Sequence, residues 1–299
     1  MVLRPDRTYV TDGGMETVLI HREGFELPYF AAFVLLDDER GVEALRSYFR
    51  PYLAIARAHG VGLVLDAPTW RASTDWGARL GYAADALEDV NRRGVALVRE
   101  LGDDVVVCGA VGPRGDAYRP GAVMSAAAAE AYHRRQVETL ADAGADMVSA
   151  LTLAYVEEGI GIARAAEGAG VPCSISFTVE VDGRLPSGQS LRDAVEQVDR
   201  ESGGAPAFFM VNCAHPTHVA RGLADEGAWL ERIGGVRANA SAKSHAELDA
   251  SDELDDGDPV ELAAAMATLY PLLPNLAVVG GCCGTDERHI AQLCATLPH

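Results

Sequence analysis

The stretch Ala143-Gly144-Ala145-Asp146-Met147-Val148-Ser149 decides the fold. An Ala-rich segment of helical character leads into it, a glycine suited to a helix end follows, and a short apolar run completes it. The same succession recurs along the chain. His59-Gly60 leads into Val61–Leu65, Ala169-Gly170 into Val171–Phe177, and Gly203-Gly204 into Ala207–Val211. Working outward gives eight strand candidates: Tyr9–Thr11, Gly62–Asp66, Val105–Ala110, Met147–Leu151, Cys173–Phe177, Ala207–Asn212, Gly235–Ala238 and Leu276–Gly280. They recur every ~25 to 45 residues, the rhythm of βα units joined by crossovers, and so of a parallel sheet. Eight such units predict an α/β fold, a closed (β/α)8 TIM barrel with parallel strands. A doubly wound open sheet would want a G-x-G-x-x-G turn after its first strand, and Thr11-Asp12-Gly13-Gly14-Met15-Glu16 lacks that spacing.

Helices fill the intervals. Between Gly41 and His59 apolar residues fall at Val42, Leu45, Phe49, Leu53 and Ala56, and Pro51 is expected to kink or split that helix. Ser125–Ala143 and Asp258–Leu273 read as further helices, with Ser125 and Asp258 as N-caps and Pro259 in the first turn. The acidic segment Ser244–Asp258 reads as a solvated face, or else as a loop over the barrel mouth. No linker or shift of composition divides residues 1–299, so one barrel domain is expected.

Lys plus Arg number 25 against 44 Asp plus Glu, a net charge of −19 that repels phosphate backbones and anionic membranes. Nucleic acid and membrane are therefore poor partners, and a small or cationic substrate fits better. No apolar run approaches the ~20 residues of a membrane span, and the first residues lack a signal peptide's apolar stretch. A cytoplasmic protein is expected. Barrel proteins often dimerise, but no segment marks an interface for a homo-oligomer. In a reducing compartment the six cysteines are metal ligands, catalytic groups or buried apolar residues rather than disulfides.

Gly280-Gly281-Cys282-Cys283-Gly284-Thr285 follows an apolar strand directly, and Asn212-Cys213 ends another. In a parallel barrel all strand ends share one face, so Cys213, Cys282 and Cys283 would meet there. Three soft sulfur donors with one place left open suit Zn²⁺ at a catalytic site. Cys108, Cys173 and Cys294 read as buried apolar residues. His215, next but one after Cys213, is a rival ligand, while His218, His245 and His289 read as loop, surface or substrate-contact residues.

With these motifs in view, the chain resembles the zinc-dependent homocysteine S-methyltransferase family. The likeness rests on Asp12-Gly13-Gly14-Met15-Glu16-Thr17, on Ser176-Phe177-Thr178 with Asp182-Gly183 and Gly188, on Asn212-Cys213, and on Gly280–Thr285 with His289-Ile290. It runs nearly end to end and implies a (β/α)8 barrel. It also implies a Zn²⁺ cofactor on Cys213, Cys282 and Cys283, a small-molecule thiol acceptor (homocysteine by default, giving methionine), and a sulfonium or ammonium methyl donor. By the same likeness the turn at Asp12 and Gly13 would hold the amino-acid end of the thiol, and Asn212 would orient the site. Thr69 and Trp70 would line the mouth, where an aromatic face suits a methylated cation. Arg71 is unusual for that position and reads as binding a carboxylate of donor or acceptor, or else as a surface ion pair.

One position departs from the family. Leu151 stands where a glutamate commonly pairs with the homocysteine ammonium. Either Glu157 or Glu158 reaches in from the next helix, or the acceptor is not homocysteine. Two other functions compete: a zinc lyase or hydrolase using His215, His218 or Glu16 as base, and a ligand-binding homologue without catalysis. Three thiolates make zinc a poorer Lewis acid for water, which favours thiol transfer.

Overall fold

A computed structural model of the chain describes residues 3–4, 6–251 and 253–297. Eight strands pair in parallel, each with the next: β1 (Tyr9–Val10), β2 (Gly62–Asp66), β3 (Val105–Val111), β4 (Met147–Leu153), β5 (Cys173–Phe177), β6 (Phe208–Ala214), β7 (Ile233–Ala238) and β8 (Val278–Gly281). Tyr9 pairs with Gly62 on one side and Val278 on the other, which closes the barrel. The expected (β/α)8 architecture is therefore present. β4 and β6 run two residues past their expected ends, because each carries a bulge near its C-terminus. Thr152 and Cys213 sit at those bulges with φ of 61° and 55°, and no glycine there betrays them in the sequence.

The helices are α1 (Met15–His21), α2 (Glu39–His59), α3 (Thr74–Arg79), α4 (Ala84–Arg99), α5 (Ala126–Asp142), α6 (Val156–Gly168), α7 (Leu191–Ser202), α8 (Pro216–Gly222), α9 (His245–Asp249), α10 (Pro259–Ala267) and α11 (Glu287–Thr296). Ser125 and Asp258 cap α5 and α10 as expected, accepting from the amides of Ala128 and of Val260 and Glu261. The expectation of a break at Pro51 is corrected: α2 is one helix of 21 residues. Leu45, Tyr48, Phe49, Tyr52 and Ala56 bury its inner face, and that burial outweighs the single hydrogen bond which proline forgoes.

Alternate strand residues point into the lumen. Its lower half is filled by Tyr9, Val64, Cys108, Met147, Met210 and Val278. Two residues further along the same strands the lumen turns polar, at Asp66, Ser149 and Asn212. The barrel is thus a packed core below and a site above, at the C-terminal ends of the strands. The acidic segment 244–258 is not simply a solvated face. Ser244 and Glu247 form a capping box that starts α9, and His245, Leu248, Leu254 and Asp255 line the cavity at the mouth. Asp252 lies outside the described residues. No described helix is long and apolar enough to cross a membrane.

Candidate metal centre

Neighbouring residues of a strand normally point to opposite faces. At the end of β6, however, Asn212 and Cys213 both line the mouth cavity. The pairing passes from Asn212↔Arg237 to Ala214↔Ala238, leaving Cys213 as the extra residue of the bulge. Its left-handed backbone is a strained conformation for a non-glycine, of the kind that gathers at functional sites. On β8 the paired glycines serve close approach. A Cβ at Gly280 would overlap the Thr11 hydroxyl, and one at Gly281 the Thr285 hydroxyl. Only there can the end of β8 press against the end of β1. Cys282 N donates to Ala238 O at 2.7 Å, which fixes the turn carrying both cysteines.

The Sγ atoms of Cys213, Cys282 and Cys283 all lie within 4.8 Å of one another. Cys213 and Cys282 are joined as a disulfide, their Cα atoms 5.4 Å apart, while Cys283 is free with its Sγ 3.8 Å from that of Cys213. The expectation of no disulfide is corrected on this point: two of the three sulfurs converge closely enough to bond. Reduced, the three form one soft donor set of the size and chemistry that suits Zn²⁺ or a similar ion. Burial pushes the Cys283 thiol up to about 12, the direction a bound cation would reverse. Neighbours steady the trio. Asn212 Nδ2 lies 3.8 Å from Cys282 Sγ, and His245 Nε2 sits 2.7 Å from the Cys213 carbonyl.

No histidine joins the sulfurs among the described residues. His215 Nδ1 is engaged by Thr217 at the start of α8, and burial lowers the ring to about 4. His289 is tied to Asp286 and to the Asp256 carbonyl. The rival site at Cys213 and His215 is thus not formed. Cys108, Cys173 and Cys294 are free and buried, away from the trio.

The carboxylate of Asp12 is committed within the protein. Arg237 Nη2 donates to its Oδ1 at 2.5 Å, and the Tyr48 hydroxyl donates to Oδ2 at 3.1 Å. Arg237 Nη1 pairs with Asp66, and its Nε donates to Gly281 O at 3.0 Å, which ties β1, β2, β7 and β8 together under the cysteines. Burial still pushes Asp12 up to about 6 against that cation. Sequence reasoning missed Arg237. The available signal was a lone arginine in an otherwise apolar strand, a charge that a buried parallel sheet retains only with a partner.

Asp12, Gly13, Trp70, Arg71, Leu151 and Asn212 line the same cavity as the cysteines, a space of about 330 Å³ suited to a small ligand. Thr69 does not reach it. Its hydroxyl donates to Ala110 O at 2.8 Å, and its methyl group faces Gly94 on α4. Asn212 is held by its neighbours, accepting from Thr152 N at 2.8 Å and from the Ser176 hydroxyl at 2.6 Å. Neither glutamate of α6 replaces the missing one. Glu158 is fully buried beneath the 113–115 loop, bound to His133 Nε2 at 2.9 Å and Arg114 N at 2.8 Å, and Glu157 does not line the cavity.

Fold and centre together define a (β/α)8 barrel with a three-cysteine centre at its C-terminal mouth. The family model described as homocysteine S-methyltransferase matches residues 9–297, and the chain belongs to that family. Methionine synthase of Mycobacterium tuberculosis is 27% identical over 326 residues, and that of Mycobacterium leprae 27% over 241. The first alignment covers 97% of this chain but 25% of the relative, so the chain spans about a quarter of that protein's length. The homocysteine methyltransferase MmuM from Escherichia coli, solved in a metallated form, is 22% identical with a TM-score of 0.76, covering 98% of this chain and 97% of that one. Its oxidized form gives a TM-score of 0.74. These solved structures establish the barrel.

Proposed function

We propose that the protein is a zinc-dependent S-methyltransferase that moves a methyl group from a small sulfonium or ammonium donor to a thiol, with homocysteine the default acceptor and methionine the product. The observation that carries this reading is the convergence of Cys213, Cys282 and Cys283 in one small-molecule cavity. Cys213, Cys282 and Cys283 would hold the metal, which when bound supplies a soft Lewis acid that keeps a substrate thiol as thiolate at neutral pH. Asn212 and His245 fix the cysteines from behind. Gly13, Trp70 and Arg71 bind and orient the substrates, and His245, Leu248 and Leu254 line the mouth with them. Trp70 offers a face to a methylated cation. The acceptor sulfur attacks the methyl carbon in line; a new S–C bond forms as the donor's bond to that carbon breaks, and the donor leaves without its positive charge. One barrel domain in the reducing cytoplasm, where the three thiols stay free, belongs to the same reading.

The test is methyl transfer from S-methylmethionine and from betaine to homocysteine, followed by mass spectrometry on zinc-loaded, reduced protein. Methionine formed by wild type and lost in Cys283→Ala is the expected result. Hydrolysis of esters or amides without methyl transfer would turn the assignment to a zinc hydrolase.

A further inference from the structure

Inside the exposed rim of the cavity, two charged side chains among the described residues have no charged partner of their own. Arg71 is 7% exposed and stacked between the rings of Trp70 and Trp76, its Cζ 3.9 and 4.0 Å from their centroids. Its Nη1 donates to the carbonyls of Pro113 and Gly115 at 3.2 and 3.1 Å. Its Nε is buried with no partner, and no described carboxylate closes an ion pair with it. Arg71 lines the cavity, and a carboxylate entering there would supply the partner that its Nε lacks.

Glu16 is the complement. It stands in the first turn of α1, half-buried on the cavity wall, with no ion pair among the described residues and its own backbone amide as its hydrogen-bond partner. Of the other carboxylates on the cavity wall, Asp12 and Asp66 pair with Arg237, Asp255 with Ser241 and Lys243, and Asp116 with the amides of Tyr118 and Arg119, while Asp249 and Glu253 are exposed at the rim. Glu16 and Arg71 feel each other's charge across the cavity without touching, and burial dominates both, pushing Glu16 up to about 7 and Arg71 down to about 10. Leu151, where the family resemblance leads one to expect a glutamate, presents a neutral wall to the same space.

We propose that Glu16 and Arg71 form a split receptor for an α-amino-acid head group, Glu16 taking the ammonium and Arg71 the carboxylate of a ligand whose sulfur end lies at the cysteine trio. The inference rests on the methyltransferase reading for the direction of the ligand. The recognising carboxylate has moved from the end of β4 to the start of α1. Neither Glu16 nor Arg71 has an oppositely charged partner within the protein, and a zwitterion supplies one to each. Arg71 is already held by two rings and two carbonyls, so little side-chain freedom is lost on binding. The head group belongs to the thiol acceptor or to an amino-acid sulfonium donor, and binding distinguishes the two.

The experiment measures binding to zinc-loaded, reduced full-length protein by calorimetry, with no turnover. The ligands are L-homocysteine, S-methyl-L-methionine, 4-mercaptobutyrate (no ammonium) and 3-mercaptopropylamine (no carboxylate). The proteins are wild type, Glu16→Gln and Arg71→Lys, with near-UV circular dichroism as the folding check. Wild type should bind at least one amino acid roughly ten- to a hundredfold more tightly than either truncated thiol. Glu16→Gln should weaken that amino acid by a similar factor and leave 4-mercaptobutyrate unchanged. Arg71→Lys, which keeps the charge but loses the fork, should weaken it and leave 3-mercaptopropylamine unchanged. Weakening confined to L-homocysteine places the acceptor's head group there; weakening confined to S-methyl-L-methionine places the donor's. Unchanged amino-acid affinity in Glu16→Gln, or equal wild-type affinity for amino acids and truncated thiols, overturns the receptor whether or not Arg71→Lys folds. Head-group selectivity without methyl transfer would instead sink the methyltransferase reading and leave the receptor standing.

Discussion

Arg237→Met removes the cation that the structure places between Asp12 and Asp66. In the native protein Arg237 closes both pairs and also holds the Gly281 carbonyl, all inside the barrel. Methionine fills similar space but leaves two buried carboxylates facing each other. Breaking a buried pair in this way costs about 3–5 kcal/mol at neutral pH. For a chain of this size that corresponds to a fall in Tm of roughly 5–8 °C. The pH dependence has a definite sign. Asp12 sits at about 6 in the folded protein, above its ordinary 3.8, even with Arg237 lowering it. Removing Arg237 raises it further. A carboxyl raised in the folded state contributes stability that is complete below its unfolded value and is lost as pH rises through its folded value. The variant's deficit should therefore be small at pH 4 and should grow through pH 6 to a plateau near pH 8. Urea denaturation of both proteins across that range, followed by circular dichroism, measures it. Adding Asp66→Asn to Arg237→Met should recover part of the loss at pH 8. A deficit below about 1 kcal/mol at pH 8, or one that is larger at pH 4, would refute the buried-pair argument.

Gly281→Ala forces a Cβ onto the Thr285 hydroxyl and should cost about 1–3 kcal/mol in thermal unfolding while lowering metal content. Glu158→Ala orphans His133 and the Arg114 amide. Stability should fall by about 2–4 kcal/mol, with faster proteolysis in the 113–119 loop. Leu151→Glu should restore L-homocysteine binding to the Glu16→Gln protein in calorimetry; no recovery would mean that position 151 does not face the head group.

The barrel was legible because one local pattern repeats, with a glycine marking the start of β2, β4, β5 and β6, and the remaining strands fall at the same spacing. Strand ends were less so at β4 and β6, where bulges at Thr152 and Cys213 lengthen the strands without a glycine to announce them. Nearness of the three cysteines followed from topology alone, since parallel strands deliver their C-terminal residues to one face. Their disulfide contact did not, because separations of a few ångströms depend on the bulge. The turn at Asp12 and Gly13 was read for its backbone amides; that the Asp12 side chain is held by Arg237, more than two hundred residues away, no local pattern reveals. Thr69 was placed at the mouth by its position after β2, but the turn there directs it outward toward α4.

Metal content tests the central claim most directly. Freshly reduced wild-type protein and Cys213→Ala should be loaded with zinc, desalted and assayed by elemental analysis. The account predicts about one zinc per wild-type chain and its loss in the variant. No metal in reduced wild type, or a full complement retained without Cys213, would contradict a centre built from Cys213, Cys282 and Cys283.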